Sequence, residues 1–321
     1  MHTLTEDRPR WPLDDTATAG PILLFGKNGQ VGWELQRALA PLGELHALDH
    51  DSTVLHADFS RPEALADTVR ALRPSVIVNA AAHTAVDRAE AEPDLARRLN
   101  TTAPGVLARE AAAIGATLVH YSTDYVFDGS GTLPRDEGAL AAPLSVYGRT
   151  KLDGEQEIMA SGCRHLILRT SWVYAARGSN FAKTMLRLAS QRDQLRVIDD
   201  QIGAPTGADL LADSTAHALR TLAQKPELAG LYHLAASGET SWHGYARFVI
   251  EWSRSRGHPI QLAPEQLLPI PTRDYPTPAP RPLNSRLDTT RFRRAFGLTL
   301  PPWEAGVTRL LHELLDPAAA A

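Results

Sequence analysis

A short apolar run that ends in a glycine-rich turn is the feature that most constrains the fold of this chain. The run Pro21–Phe25 contains no polar residue, which is typical of a parallel strand buried on both faces. Gly26, Gly29 and Gly32 follow, and good helix formers continue from Trp33 to Ala40. Glycines at a strand-to-helix turn let a pyrophosphate approach the backbone N–H groups at a helix N-terminus. This stretch therefore predicts a strand–turn–helix unit that binds a dinucleotide.

The alternation of apolar runs and helical stretches continues along the chain. Further buried strands are predicted at 45–48, 76–79, 117–121 and 165–169. Strands that alternate with helices at this spacing favour an α/β fold with a Rossmann-type doubly wound parallel sheet.

Beyond residue 172 the pattern loosens, which indicates a smaller C-terminal substrate-binding domain. Helical stretches at 181–192 and 209–222 alternate with loops, and prolines are dense from 264 to 282. We expect three regions: a flexible N-terminal tail at 1–20, an NAD(P)-binding Rossmann domain at 21–172 that regains a segment near 207–235, and a domain made mainly of 173–321.

Acidic residues after the second predicted strand indicate how adenosine would bind. Asp49 can accept hydrogen bonds from the ribose and would repel a 2′-phosphate, which leans slightly towards NADH. Lys27 and Arg37 are near enough in sequence to help a phosphate instead. Asp58 and Phe59 could border the adenine pocket, although Asp58 is as easily an ordinary turn residue before a helix.

Small and polar residues follow the next two strands. Ala80–Thr84 comes after the strand at 76–79, and small side chains there let a flat cofactor lie against the backbone. Within this stretch we expect a structural role for His83. The strand at 117–121 delivers Ser122, Thr123 and Asp124 to the same edge of the sheet, where ligands bind in open α/β folds.

Tyr147 and Lys151 supply a candidate catalytic pair. Four residues apart, they fall on one face of a helix, so the ammonium is expected beside the phenol. A nearby cation favours the ionised phenol and lowers its pKa, which makes the phenol a usable general acid. Thr123 could donate a second hydrogen bond to the same substrate oxygen. The spacing alone is more often that of a core aromatic and a solvated charge, so the upstream motifs carry the catalytic interpretation.

The composition excludes several functional classes. Lys and Arg total 33 against 37 Asp and Glu, for a net charge of −4 without long runs of one sign, so neither nucleic acid nor a membrane surface is an expected partner. A single cysteine, Cys163, excludes an internal disulfide framework. The first 20 residues contain no signal-peptide core, and no stretch approaches a membrane span. These features predict a cytoplasmic protein, and no cluster of metal ligands is visible in the sequence.

Seven segments together resemble the extended short-chain dehydrogenase/reductase superfamily and, within it, the dTDP-4-dehydrorhamnose reductases. The resemblance runs from about Ile22 to the C-terminal helix. The segments at 26–32 and 147–151 mark only the superfamily, whereas the combination of the others is far more specific. Those others are Asn79–Asp87, Ser122–Phe127, Arg169–Tyr174, Gln201–Thr206 and Arg281–Ser285.

The resemblance implies a set of site residues. Those implied for the dinucleotide, with the glycines of the turn, are Gly26, Gly29, Gln30, Val31, Gly32, Asp49, Asp58, Phe59, Ala81, Ala82, His83, Tyr147 and Lys151. Those implied for the deoxysugar and its thymidine diphosphate are Thr123, Asp124, Trp172, Asn180, Phe181, Arg281, Asn284 and Ser285. Arg281 can pair with a diphosphate, yet in a proline-rich loop it could equally be a solvated surface arginine.

The reaction implied is the last step of dTDP-L-rhamnose synthesis, which supplies rhamnose for cell-surface polysaccharide such as lipopolysaccharide. NADH or NADPH would deliver hydride to the 4-keto carbon of a dTDP-sugar while Tyr147 protonates the oxygen, assisted by Lys151 and Thr123. The resemblance also implies a homodimer and Mg²⁺ at a dimer contact made by acidic residues, for which Asp209 is one candidate.

Other functions stay open at this stage. Nucleotide-sugar 4,6-dehydratases place an Asp-Glu pair directly after the threonine, whereas here Asp124 is followed by Tyr125, which disfavours elimination. The absence of this pair does not exclude another dTDP-4-keto-6-deoxysugar reductase or an epimerase. From a different class, the β subunit of methionine adenosyltransferase is similar to these reductases, and a regulatory role would predict NADP(H) binding without turnover.

Overall fold

A computed structural model describes residues 20–316 of the 321-residue chain. The predicted N-terminal tail lies outside the described residues apart from Gly20.

Secondary structure alternates through the first half of the chain as the sequence predicts. The elements are β1 (Ile22–Phe25), α1 (Gln30–Leu39), β2 (Leu45–Leu48), α2 (Pro62–Leu72), β3 (Val76–Asn79), α3 (Val86–Ala91), α4 (Pro93–Arg97), α5 (Ala103–Ile114), β4 (Thr117–Thr123), α6 (Val146–Ala160) and β5 (Arg164–Thr170). Helix α1 begins at Gln30, inside the glycine-rich turn and earlier than the Trp33 start predicted.

The second half consists of shorter strands between helices. Its elements are β6 (Val173–Tyr174), α7 (Phe181–Ala189), β7 (Leu195–Ile198), β8 (Ile202–Gly203), β9 (Thr206–Gly207), α8 (Ala208–Gln224), β10 (Gly230–His233), β11 (Thr240–Ser241), α9 (Trp242–Ser255), β12 (Leu267–Ile270), α10 (Thr290–Phe296) and α11 (Trp303–Leu315).

The central sheet has six parallel strands in the order β10-β5-β4-β3-β1-β2. Strands β1, β3 and β4 are buried along their whole length, which explains their lack of polar alternation. Because all six strands run the same way, their carboxyl ends meet at one edge. The predicted doubly wound parallel sheet is confirmed.

Helices cover both faces of this sheet. On one face Leu35 of α1, Leu219 of α8 and Phe292 of α10 join a core with the strands. On the other face Leu65 of α2, Leu107 of α5 and Ile158 of α6 form a second core. Helices therefore exclude water from both faces of the sheet. Ligands can bind only at the edges where the strands end in loops.

A third core forms away from the sheet, between α7, α9 and α11. It contains Met185, Tyr245, Val249, Trp303 and Leu311. The two-stranded pairs β7–β12 and β8–β11 flank it. This group of elements brings Trp242, at the start of α9, towards the carboxyl edge of the central sheet. No helix among residues 20–316 is long and apolar enough to cross a membrane.

Candidate active site

A cavity of about 630 Å³ lies along the carboxyl edge of the central sheet. It combines the ends of β1 to β5 with the start of α6 and of α9. The predicted residues in its wall are Gly26, Gly29, Gln30, Val31, Asp49, Asp58, Phe59, Ala81, Ala82, Thr123, Asp124, Tyr147, Lys151 and Trp172.

The glycine-rich turn at one end of the cavity needs its glycines for steric reasons. Gly26 has φ +83°, and a Cβ there would stand 2.8 Å from the backbone nitrogen of Ala81. A Cβ on Gly32 would stand 1.9 Å from the Gly26 carbonyl oxygen, so Gly32 lets α1 begin against the turn and does not itself line the cavity. No side chain among the described residues caps the N-terminus of α1. Its backbone N–H groups suit a pyrophosphate.

Asp49 occupies the predicted ribose position beside this turn. Burial opposes ionisation of Asp49, but hydrogen bonds from the His50 ring and from the backbone N–H groups of Asn28 and His50 outweigh it and lower its pKa. The carboxylate is thus charged and faces the cavity. The guanidinium of Arg37 pairs with Asp213 at 2.8 Å, so it is already engaged on the α8 side.

The next two predicted residues differ in burial and in contacts. The Asp58 carboxylate accepts a hydrogen bond from the Ser60 N–H at 2.8 Å, which is the behaviour of a turn residue, and Asp58 also lines the cavity. Phe59 is 4% exposed and packs edge-on against Phe25, with ring centroids 5.5 Å apart. Phe59 is therefore part of the core and presents only part of its surface to the cavity.

His83 lies behind the cavity wall rather than in it. Its backbone N–H donates to the Asn100 Oδ1 atom at 2.8 Å, and its carbonyl accepts from the Asn100 Nδ2 atom at 3.2 Å. Its ring faces Glu92 at 3.7 Å. These contacts hold the loop that carries Ala81 and Ala82, and the contact with the dinucleotide that the resemblance implies for His83 stays a prediction.

Tyr147 stands in the wall opposite the turn. The Ser145 hydroxyl caps α6 by accepting from the Gly148 N–H, and a Cβ on Gly148 would stand 2.2 Å from the Tyr125 carbonyl oxygen, so the helix start sits close to the end of β4. Burial raises the Tyr147 pKa to about 12, although the Thr123 hydroxyl acts in the opposite direction. In this environment the phenol is protonated at neutral pH and able to donate.

Lys151 does not sit where the helical spacing predicts. Its Nζ atom donates to the Tyr121 carbonyl oxygen at 2.6 Å and lies 3.0 Å from the Nε2 atom of His120. The ammonium therefore points towards β4 rather than along the helix to the phenol. Burial lowers the Lys151 pKa to about 8, while Glu155 acts to raise it. The expectation that Lys151 lowers the Tyr147 pKa is wrong for this arrangement, since burial dominates both groups.

One carboxylate oxygen of Asp124 has no hydrogen-bond partner among the described residues. Burial raises its pKa to about 6, against hydrogen bonds from Ser285 and Thr123. The Thr123 hydroxyl donates to Oδ1 at 3.0 Å, while the buried Oδ2 has no hydrogen-bond partner. A buried unpaired carboxylate oxygen in a cavity wall is a strong acceptor for a ligand hydroxyl.

Trp172 adopts a conformation rare for its type. Its φ is +50°, and its ring stacks on Trp242 with centroids 3.7 Å apart. A Cβ on Gly203 would stand 2.8 Å from this ring, so glycine is needed behind it. The two indoles form an apolar wall next to the polar groups of Thr123 and Asp124.

The other predicted substrate residues lie outside the cavity wall. Asn180 caps α7 and donates to Gln30 and to the Ala175 carbonyl. Phe181 packs against Trp242, with ring centroids 4.6 Å apart. Arg281 pairs with Asp87 at 2.8 Å, and the Asn284 amide donates to the Leu133 carbonyl at 2.9 Å. The Ser285 backbone N–H donates to the Ile202 carbonyl at 2.7 Å, and its hydroxyl acts to lower the pKa of the Asp124 carboxyl.

Several wall residues were not among the sequence predictions. Trp242 comes 70 residues after Trp172 in the loosened part of the chain, where no periodicity links the two. Tyr125 packs edge-on against Tyr147, with ring centroids 5.5 Å apart, and the sequence indicates it only as the residue that replaces a dehydratase glutamate. The sequence predicts Asn79 at a strand end but no role for it. Its position, directly before the small residues of the loop, was the available signal.

Comparisons with known proteins concern the family and the fold of the chain. The chain matches the family model described as RmlD substrate binding domain over residues 20–315. It is 60% identical to the dTDP-4-dehydrorhamnose reductase of Shigella flexneri over 298 residues, covering 93% of this chain and 99% of that protein. The corresponding Escherichia coli K12 protein is 58% identical over 298 residues, with the same coverage. The crystal structure of dTDP-4-dehydrorhamnose reductase from Bacillus anthracis in complex with NADP superimposes with a TM-score of 0.82 at 32% identity, covering 92% of this chain and 99% of that one.

Proposed function

This chain belongs to the RmlD substrate-binding-domain family, and on that premise we propose that it reduces the 4-keto group of dTDP-4-dehydro-L-rhamnose to dTDP-L-rhamnose with NADH or NADPH. The observation that carries the proposal is the position of Thr123, Tyr147 and Lys151 in one cavity with the glycine-rich turn. An acid, a second hydrogen-bond donor and a cofactor cradle then face the same space.

The residues present fit a nicotinamide dinucleotide. Gly26 and Gly32 let the turn pack closely against the Ala80–Ala81 backbone and the start of α1, the N–H groups of α1 lack a side-chain cap, and the charged Asp49 lines the same cavity. Bound along this edge, the cofactor supplies the hydride. The choice between NADH and NADPH follows from Asp49, whose charge disfavours a 2′-phosphate, so we propose NADH as the better substrate of the two.

The chain's own residues manage the proton and the orientation of the sugar. Tyr147, protonated at neutral pH, donates its phenolic proton to the oxygen that becomes the 4-hydroxyl. The Thr123 hydroxyl, once it turns its proton from the Asp124 Oδ1 atom to that oxygen, stabilises the charge that develops there. The unpaired Oδ2 atom of Asp124 accepts a hydrogen bond from a sugar hydroxyl, and Trp172 with Trp242 packs against the apolar face of the 6-deoxysugar.

Elimination is not supported by the wall next to Asp124. A dehydratase needs a carboxylate there to remove a proton beside the carbonyl, and this chain places Tyr125 at that position. Burial raises the Tyr125 pKa well above its usual value, so its phenol is a poor base near neutral pH. Reduction uses the groups that are present.

The remaining substrate and domain assignments are proposals. We propose that the loop residues Asn180, Phe181, Arg281, Asn284 and Ser285 shape the side of the site that takes the thymidine diphosphate. Their contacts hold the strands and loops around Trp172 and Asp124. We also propose that 21–172, with the segment near 207–235, is the cofactor domain, since β10 pairs with β5 in the central sheet.

Partners, location and magnesium are proposed on narrower grounds. We propose a cytoplasmic location without nucleic-acid partners, which suits the single buried Cys163 and the net charge of −4, and a homodimer because the resemblance implies one. For magnesium, Asp209 is a poor ligand because its carboxylate pairs with Arg309 at 3.0 Å. Among residues 20–316 the one cluster with ligand geometry is Asp49, His50 and Asp51, beside the adenosine end, and no step of the reaction is assigned to a metal.

The test is turnover of freshly prepared dTDP-4-dehydro-L-rhamnose with NADH and with NADPH, followed by NMR of the product sugar. We expect cofactor oxidation and dTDP-L-rhamnose. Oxidation that gives the other 4-epimer would indicate a different dTDP-4-keto-6-deoxysugar reductase. Cofactor binding without oxidation, together with capture of a partner enzyme, would indicate a regulatory subunit and contradict the proposal.

A further inference from the structure

Three buried polar side chains form a row that leads away from the cavity behind Lys151. The Lys151 Nζ atom lies 3.0 Å from His120 Nε2, and His120 Nδ1 lies 3.0 Å from the amide nitrogen of Asn79. The backbone N–H of Ala81 donates to the Asn79 Oδ1 atom at 3.0 Å. Lys151, His120 and Asn79 are 2%, 0% and 1% exposed, so no solvent competes for these hydrogen bonds.

The order of donors along this row fixes the proton on His120. Because the Ala81 N–H must meet an oxygen, Asn79 turns its NH₂ group towards His120, whose Nδ1 must then accept. A neutral imidazole carries one N–H, so that proton sits on Nε2 and points at Lys151. Lys151 can accept it only through the lone pair of a neutral amine. Burial, reinforced by the charge of Lys151, holds the His120 pKa well below its usual value, which favours the neutral ring.

We propose that His120 is a positioning residue whose tautomer changes together with the protonation of Lys151. With Lys151 as the amine, Nε2–H donates to Nζ, Asn79 Oδ1 accepts from Ala81, and every polar group in the row is paired. A protonated Lys151 has no lone pair, so Nε2 must accept and the ring proton must lie on Nδ1. Asn79 then has to turn its oxygen to His120 and release the Ala81 N–H. The net change is one proton added, carried by Nζ.

The charged groups around Lys151 favour this coupling. On its own helix Glu155 faces it, but the Glu155 carboxylate is held by the Arg169 guanidinium of β5, at 2.6 and 2.9 Å, and by the Ser122 hydroxyl. Tyr147 is protonated, and Asp124, directly after β4, lines the same cavity. Among residues 20–316 no carboxylate forms an ion pair with Lys151. Its nearest partners are the His120 ring and the Tyr121 carbonyl.

The coupling links the protonation of Lys151 to the hydrogen bond of the Ala81 N–H, which lies in the wall proposed to bind the cofactor. Each reduction consumes one proton, so Lys151 alternates between ammonium and amine if it resupplies Tyr147; this step rests on the proposed function. Ala81 lines the cavity, and its N–H is released in one state and bound in the other. The hydrogen bonding of the Ala81 N–H therefore depends on whether Lys151 carries a proton.

The direct test needs no substrate. In protein labelled with ¹⁵N-histidine, the ring nitrogens of His120, assigned by comparison with His120→Gln, report which nitrogen carries the proton. We expect Nε2–H above the Lys151 pKa of about 8 and Nδ1–H below it. One tautomer throughout the pH range, or a ring protonated on both nitrogens, would overturn the proposal whether or not the protein is a reductase.

A second test uses the pH dependence of kcat/KM. In the wild type the protonated Lys151 is the active form, so activity falls as pH rises through its pKa. His120→Gln keeps an amide that can accept from the ammonium without turning Asn79. The variant should therefore raise the Lys151 pKa and move the basic limb up by about one pH unit.

The matched control is His165→Phe, a half-buried histidine of the neighbouring strand whose ring contacts the Cys163 carbonyl. It should leave the basic limb in place. A lower kcat/KM in His120→Gln with an unchanged basic limb, or a limb moved to lower pH, would contradict the proposal.

Discussion

Two parts of the cavity wall treat their polar groups in opposite ways. In the paired wall behind Lys151, each polar atom of the row has a partner, and next to it the Glu155 carboxylate accepts from Arg169 and Ser122, although the Nη1 atom of Arg169 has no partner among the described residues. In the unpaired wall, Asp124 keeps an oxygen without a partner and Trp172 keeps a φ of +50°. A paired buried group positions its neighbours, whereas an unpaired or strained one retains free energy that a ligand can recover. The difference separates the groups that hold the site from those that bind.

The largest expected effect comes from removing the acid itself. Tyr147→Phe keeps the ring that packs against Tyr125 but removes the proton donor, so turnover should fall by roughly 10²–10⁴-fold. Single-turnover kinetics with bound cofactor measure this step. Near wild-type rates where chemistry is limiting would mean that another group protonates the oxygen.

The paired wall predicts a large loss of stability when one partner is removed. Arg169→Met leaves the fully buried Glu155 carboxylate with only Ser122, which should cost about 3–5 kcal/mol of unfolding free energy. Denaturant unfolding measures the loss. The double variant with Glu155→Met should recover much of it, because no charge is then left unpaired, and failure to recover would show that packing rather than charge dominates.

At Asp124, in the unpaired wall, we expect a substitution that stabilises the fold to weaken substrate binding. The folded pKa of Asp124, about 6, is above its ordinary value of 3.8, so the folded protein favours the neutral carboxyl. The free energy of unfolding therefore falls as pH rises from about 4 to 6 and the carboxyl ionises. Asp124→Asn should therefore unfold less readily than the wild type at pH 8, by on the order of 1–3 kcal/mol, and equally at pH 4. Its KM for the dTDP-sugar should rise roughly tenfold.

Thermal unfolding across pH and steady-state kinetics measure the two parts of this prediction. A variant that is less stable at pH 8 would place Asp124 among the positioning groups and remove the contrast between the walls.

The smallest effect is expected at the apolar part of the binding wall. Trp242→Leu removes the ring that stacks on Trp172 at 3.7 Å, a contact worth roughly 0.5–1.5 kcal/mol. We expect a several-fold rise in KM with little change in kcat. Phe248→Leu, which changes another aromatic residue of α9 whose ring contacts Trp303 at 5.0 Å, serves as the control and should leave KM unchanged.

The parts of the site on strand ends were predictable from sequence, since buried parallel strands read as apolar runs and their carboxyl ends share one edge. Thr123 and Asp124 were found in this way. Trp242 was not, because it reaches the cavity through the packing of α9 against α7. The contacts of Lys151 were missed for another reason. Helical spacing places Lys151 beside Tyr147, but the carbonyl of Tyr121 and the ring of His120 draw its side chain to β4.

The most direct test of the account is transfer of deuterium from NADH or NADPH labelled at the reactive nicotinamide carbon to dTDP-4-dehydro-L-rhamnose, with NMR of the sugar. The account predicts dTDP-L-rhamnose with deuterium at the sugar carbon that carried the keto group, and no transfer above background in Tyr147→Phe on the same timescale. Deuterium at another carbon, or retained in the nucleotide while the sugar changes, would contradict it.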